Sequence, residues 1–245
     1  MISEKLIEST RSFLEAASNF DFKSSHNLNP LLTFLEHVKI REGYVLDHFL
    51  CGSRWGGSSR LYVRKKDACI RYTPEENYQK PQFKWLTLSN EFKIKDPIPS
   101  FTDDMFIDGE YSPKIVASVP NFQDYFSFDF NEASVWEMNL LKNFLTVYMP
   151  KFWHGCYHDA KLILGDKELL NISQIDCSQY MNNSVIQPSV IIESPYNAIL
   201  SETFFSMWGG LSKIKRSVKY KNNRIEFDYP FEWTNLIEYH CGIVI

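Results

Sequence analysis

The densest group of reactive side chains in the sequence is Trp153-His154-Gly155-Cys156-Tyr157-His158-Asp159. Imidazole, thiolate and carboxylate are zinc-type ligands, and His154, Cys156, His158 and Asp159 fall within six residues. On a helix His154 and His158 share a face, but Pro150 and Gly155 argue against a helix here. On a strand His154, Cys156 and His158 all point one way, too crowded for a regular site without a ligand from elsewhere. His240, beside Cys241, is the candidate for that further ligand. A Cys156 nucleophile with a histidine base is the second chemistry these residue types allow. The simpler reading is a core cysteine among aromatic and histidine neighbours at a sheet edge, and no metal or cofactor is expected.

A second pattern is a pair of similar stretches, Trp55-Gly56-Gly57-Ser58-Ser59-Arg60-Leu61 and Trp208-Gly209-Gly210-Leu211-Ser212-Lys213-Ile214. Both read Trp-Gly-Gly-any-Ser-cation-aliphatic. Paired glycines permit positive φ and close backbone approach, so each stretch predicts a sharp turn or bulge that launches a strand. On this reading they are equivalent corners of one sheet with similar backbone shapes. The functional alternative is a recognition surface with Trp55 and Trp208 as anchors and Arg60 and Lys213 as cations beside them, because Trp and Arg are enriched at interface hot spots.

The second stretch runs into Lys213, Lys215, Arg216, Lys219, Lys221 and Arg224, a cationic run without an acid. Strand alternation sets Lys213, Lys215, Ser217 and Lys219 opposite Ile214, Val218 and Tyr220. Such a strand can follow phosphates. It can also be a solvated face, or a charged edge that discourages aggregation. Asp104-Met105-Phe106-Ile107-Asp108-Gly109 has the glycine of a calcium loop, but Phe106 and Ile115 stand where oxygen ligands belong. The Walker phosphate loop, the dinucleotide glycine fingerprint, the zincin helix motif and the serine-hydrolase elbow are all missing from the sequence. Those enzyme classes lose weight accordingly.

The elements that must position these residues read as follows. A helix is predicted over 3–18, capped by Ser3, with Leu6, Ile7, Thr10, Phe13, Leu14 and Ala17 on one face and Ile2 stapled to Ile7. A second helix opens at Asn29-Pro30, with Asn29 as its cap and Pro30 in the first turn, buries Leu31, Leu32, Leu35 and Val38, and ends at Gly43. The 44–65 stretch predicts a hairpin, and 84–95 a partly alternating strand. The stretch 96–132 is acidic and punctuated by four prolines, which marks a long connection that Phe122, Tyr125 and Phe126 can anchor to a core. A helix is predicted over 132–149, capped by Asn131, with Trp136, Leu140, Phe144 and Tyr148 inward and Asn139, Lys142, Asn143 and Thr146 outward. Beyond it the chain reads as a β-meander turning at Asn222-Asn223, with a last strand from Leu236 to the terminus.

The expected fold is therefore α+β: a largely antiparallel sheet, fed by the 44–65 hairpin and the meander, covered by the N-terminal helices and the central helix. One domain over 1–245 is expected, with two halves meeting near 96–130 as the alternative. A content of 44% hydrophobic residues is enough for a large core. The 19 Phe and 13 Tyr suit a β-rich interior. A net charge of −4 argues against nucleic acid as the partner. Five scattered cysteines argue against a disulfide framework. With no apolar leader near Met1, the expected compartment is the cytoplasm, and no membrane segment is expected. These features lean toward a non-catalytic partner of another protein, of inhibitor or immunity type. An enzyme or metal site around His154, Cys156, His158 and Asp159 is the rival, and nucleic-acid binding through 213–224 is the third reading.

Overall fold

The computed structural model describes residues 1–20, 27–53, 56–67, 115–119, 122–147, 161–207 and 209–240. In chain order its elements are α1 (Glu4–Asn19), α2 (Asn29–Leu32), β1 (Lys39–Ile40), β2 (Tyr44–Ser53), β3 (Gly56–Lys65) and β4 (Ile115–Val119). There follow α3 (Phe122–Tyr125), β5 (Phe126–Ser127), α4 (Glu132–Val147), β6 (Lys161–Ile163) and α5 (Asp166–Leu170). Two single 3-10 turns, Ser178–Tyr180 and Ser184–Ile186, precede β7 (Ser189–Ser194). The chain then builds β8 (Asn197–Ser206), β9 (Gly210–Lys221), β10 (Arg224–Asp228) and β11 (Glu232–Ile237).

The mixed α+β architecture with an antiparallel sheet is as the sequence predicts. The main sheet is organised on the long β8–β9 hairpin. On its outer side β8 pairs with β7 over one half and β6 over the other. In the same way β9 pairs with β10 at one end and β11 at the other, and β4 closes the far side of β10. Asn222 and Asn223 turn β9 into β10 with φ of 53° and 59°, the left-handed pair a tight two-residue hairpin requires. That turn docks on α3. Phe122 N–H donates to the Asn223 carbonyl at 2.9 Å, and Asn223 Nδ2 donates to Asp124 at 3.0 Å.

The β2–β3 hairpin forms as predicted, but as a two-stranded sheet of its own and not as a feeder of the main sheet. This also revises the paired Trp-Gly-Gly reading. The first stretch closes at Ser53 opposite Gly56, with two residues between; the second closes at Ser206 opposite Gly210, with three. Both are hairpins, but in different sheets and one residue out of step, so they are not equivalent corners of one sheet. In the second hairpin Gly210, with a φ of +74°, starts β9 against the backbone of 237–239.

Helices cover one face of the main sheet. Ser3 caps α1 by accepting the Leu6 N–H, and Leu6, Ile7, Phe13 and Ala17 are buried, as their spacing predicts. Thr10, also on the predicted face, is buried with its hydroxyl used: it donates to the Leu6 carbonyl at 2.7 Å and accepts Trp136 Nε1–H at 2.9 Å. Arg11 locks α1 to α5 through a forked pair with Glu168, at 2.8 and 3.0 Å. The main core joins these residues to Leu200, Val218, Ile225 and Phe227 of the sheet. The opposite face carries a second core of Ile163, Leu169, Ile172, Cys177, Ile186, Phe205 and Leu211. Part of the aromatic excess is spent inside: Phe122 stacks on Phe126, and Phe128 meets both Phe122 and Tyr220 edge-on.

Two helix predictions need correction. The helix at Asn29 ends after one turn, at Leu32. Asn29 does not cap it: its side chain accepts from Leu46 N–H at 2.9 Å and donates to the Tyr44 carbonyl at 3.1 Å. Leu35 and Val38 are still buried, because Glu137 of α4 gathers the next stretch of chain. The Glu137 carboxylate accepts backbone N–H groups of Glu36, His37 and Val38 at 2.9, 2.7 and 2.8 Å, and meets His37 Nδ1 at 3.0 Å. The second correction concerns α4. It is capped by Asn131 as predicted, with Ser134 N–H donating at 3.0 Å. Its supposed solvent side is nevertheless buried: Asn139 and Lys142 point inward.

Candidate functional site

Among the residues singled out from the sequence, Trp55, Trp208, His154, Cys156, His158 and Asp159 lie outside the described residues, as do 84–95 and the terminal 241–245. Arg60 sits on β3 opposite Phe49, with its side chain outside the described residues. Lys213 is half-buried, and its Nζ donates to the Val185 carbonyl at 2.5 Å. His240 is exposed at the end of the described chain. Among the described residues no group of three His, Cys, Asp or Glu side chains is placed to hold a metal ion. None of the described helices is long and apolar enough to cross a membrane.

The cationic run alternates as predicted, with Ile214 and Val218 buried and Lys213, Lys215, Ser217 and Lys219 on the other face. Most of its charge is answered within the sheet. Lys215 pairs with Glu232 at 2.9 Å, Lys219 with Asp228 at 2.5 Å, and Arg224 with Glu226 at 3.3 Å. The partners of Lys215 and Lys219 come from β11 and from the end of β10, which the register places beside β9, and the Arg224–Glu226 pair lies within β10.

Arg216 is the cation of the run that the alternation turns inward. It points with Ile214 and Val218 into the helix-covered face, where it meets a buried polar cluster. Glu202 of β8 lies at its centre. Asn139 Nδ2 donates to one Glu202 oxygen at 2.5 Å. The other oxygen faces Arg216 Nη2 at 3.5 Å and Lys142 Nζ at 3.8 Å. Lys142 also lies 5.3 Å from the centre of the Phe227 ring. The Lys142 and Arg216 side chains are only 7% and 9% exposed, so both charges are withdrawn from water. Among the described residues the cluster holds two cations and one carboxylate. Arg216 Nε and Asn139 Oδ1 make no hydrogen bond there.

This environment weakens both bases. Burial, reinforced by the Arg216 charge, brings the Lys142 ammonium down to about 7 against the opposing pull of Glu202. Burial likewise pushes Arg216 down, with Glu202 and then Tyr229 opposing. Arg216 lies where β9 passes from β10, last paired in register at Val218, to β11, first paired at Lys215. The connection over that gap carries Tyr229 and Phe231, and Phe231 N–H donates to the Lys215 carbonyl at 3.0 Å.

Alongside the seam runs a row of exposed aromatics. Ile225 and Phe227 are buried on β10, yet the next residues of the same alternation, Tyr229, Phe231 and Trp233, are 60%, 59% and 64% exposed. Trp233 pairs in register with Ile214, and its Nε1–H donates to Asn235 at 2.9 Å, which steadies the ring. Strand alternation groups Tyr229 with Ile225 and Phe227. Tyr229 faces out because β10 ends at Asp228 and the chain leaves the sheet there.

A pH dependence follows from Lys142. In the folded chain it releases its proton near 7, but in the unfolded chain near the usual lysine value of about 10.4. Between these values the unfolded chain binds more protons, so this residue makes stability rise with pH, by at most ~1.4 kcal/mol per pH unit. Below about pH 7 both states carry the proton and the full cost of the buried charge is present. Cys177 and Tyr220, both raised by burial, act in the opposite sense as pH climbs. The measurement is therefore a difference: urea denaturation at pH 7.5 and 9 should show wild type gaining on Lys142→Met. Parallel pH profiles for the two proteins would refute the assignment.

Comparison of the chain with protein-family models, with curated proteins and with solved structures finds no match.

Proposed function

We propose that this protein acts by binding another protein, without catalysis, as a cytoplasmic inhibitor or immunity-type partner. The observation that carries the reading is the exposed row Tyr229, Phe231 and Trp233. Three large rings left open on one short stretch cost solvation that a folded domain ordinarily avoids, and aromatic side chains are what interface centres are built from. Among the described residues β11 pairs as a strand with β9 alone, and of its outer groups the Leu236 carbonyl is taken by the Tyr180 hydroxyl at 3.0 Å. Its outer edge therefore suits an extended partner segment, which pairs with the backbone while its alternate side chains meet the aromatic row. Lys213 is committed to an internal bond, so the weight shifts from the sequence candidates to this row.

The test is a quantitative pull-down from native cells with wild type and with Phe231→Ser/Trp233→Ser. Both substitutions are at exposed positions, and the double variant should stay folded with stability within ~1 kcal/mol. Wild type should recover a stoichiometric protein partner, and the variant should lose at least tenfold in affinity. Equal recovery by both, or repeated failure to find a stoichiometric partner, would overturn the reading.

A further inference from the structure

We infer that Lys142 and Arg216 form a binding site for a small oxyanion, a carboxylate or phosphate group, at the seam between β10 and β11. This does not rest on the proposed protein partner. The cluster beneath α4 brings two cationic side chains, each more than nine-tenths buried, to the same Glu202 oxygen. One carboxylate balances one of them. The second charge has no described counterion, and Arg216 Nε has no described acceptor. A buried guanidinium N–H without an acceptor and a buried cation without a partner are both costly. The contacts to Glu202, at 3.5 and 3.8 Å, are longer than a closed ion pair, so neither cation is saturated by it. An oxyanion supplies both missing elements: one negative charge, and two acceptor oxygens that can engage the arginine fork and the ammonium together. Glu202, fixed by Asn139, already takes one side of both cations, so the guest is a single small group. The way in is given by position. Arg216 stands on β9 between the stretches that pair with β10 and with β11, and the connection over that gap carries Tyr229, which is largely exposed.

The rival solution to the same imbalance is proton loss from Lys142, and experiment separates the two. The full chain is melted at pH 6.5 in sodium phosphate, in sodium acetate, and in sodium chloride at matched ionic strength. The inference expects a saturable rise in Tm in phosphate or acetate over chloride, of ~5 °C or more at 100 times Kd. A rise in phosphate alone identifies a phosphate site, and a rise in acetate alone a carboxylate site. Lys142→Met, which removes a buried charge while keeping the volume, should fold and lose the rise. Arg216→Gln should lose it as well. No saturable rise in either salt overturns the inference, and so does a rise that Lys142→Met retains.

Discussion

Gly210→Ala should abolish the native fold or cost about 4 kcal/mol or more, the largest loss expected of any glycine described here. Two effects coincide at this position. Its φ of +74° lies in the left-handed region, where a side chain is strained. A Cβ built there would also stand 2.0 Å from the Ile237 carbonyl oxygen and 2.7 Å from the Tyr239 nitrogen. Both are backbone atoms, so no rotamer change relieves the overlap. The end of β11 would have to lift from β9, exposing Leu211 and Phe205 of the second core. Two controls divide the causes. Gly43 has a φ of +85° with open space around it, so Gly43→Ala should show strain alone, ~1–2 kcal/mol. Gly209 has ordinary φ, and its nearest neighbour is the Ser206 hydroxyl at 3.3 Å, so Gly209→Ala should cost less than about 1 kcal/mol. Denaturant midpoints should follow that order. A Gly210→Ala protein no weaker than Gly43→Ala would show that the 237–239 backbone does not press on this turn.

Glu202→Gln should be the most damaging conservative change in the main core, at ~3–5 kcal/mol. It keeps the shape and an acceptor for Asn139 but strips the only described counterion from Lys142 and Arg216. Lys142 can answer by losing its proton; Arg216, with its far higher affinity for protons, cannot follow. The opposite change behaves differently. Lys142→Met removes the surplus cation and leaves Arg216 paired with Glu202, so its effect should be near zero or stabilising at pH 6.5. In the double variant Lys142→Met should recover part of the Glu202→Gln loss, because one of the two stranded charges is gone. Equal losses from Lys142→Met and Glu202→Gln would mean that packing, and not charge balance, governs the cluster.

The sequence reading of α4 shows why this cluster was hard to see. Asn139 and Lys142 were assigned to solvent because they lie opposite Trp136 and Leu140, and polar residues on a helix usually face water. They are buried because α4 lies against the sheet and Glu202 is waiting beneath it. One signal was present: a glutamate in the strand stretch Leu200 to Met207, on the same strand face as Leu200 and Phe204. A charge on a buried strand face requires a partner of opposite sign. Its identity is a matter of contact between segments about sixty residues apart, and strand alternation carries no such information. Arg216 was counted within a basic run, although its parity sets it with Ile214 and Val218.

What the sequence determined by itself is local. The Ser3 cap and apolar stripe of α1, the Asn131 cap of α4, the left-handed Asn222-Asn223 turn and the 44–65 hairpin all depend on residues within a few positions of each other, and all are found. Backbone preference and side-chain period act over that range. The tertiary structure decided everything set by meeting distant segments. It shortened α2 by giving Asn29 to β2 and residues 36–38 to Glu137. It placed the two Trp-Gly-Gly hairpins in separate sheets. It turned the outward side of α4 into the lid of a buried ion cluster, and left Tyr229, Phe231 and Trp233 in water where β10 stops. The physical reason is common to these cases: a buried polar group takes whichever partner the fold brings within about 3 Å, and chain spacing does not encode that distance.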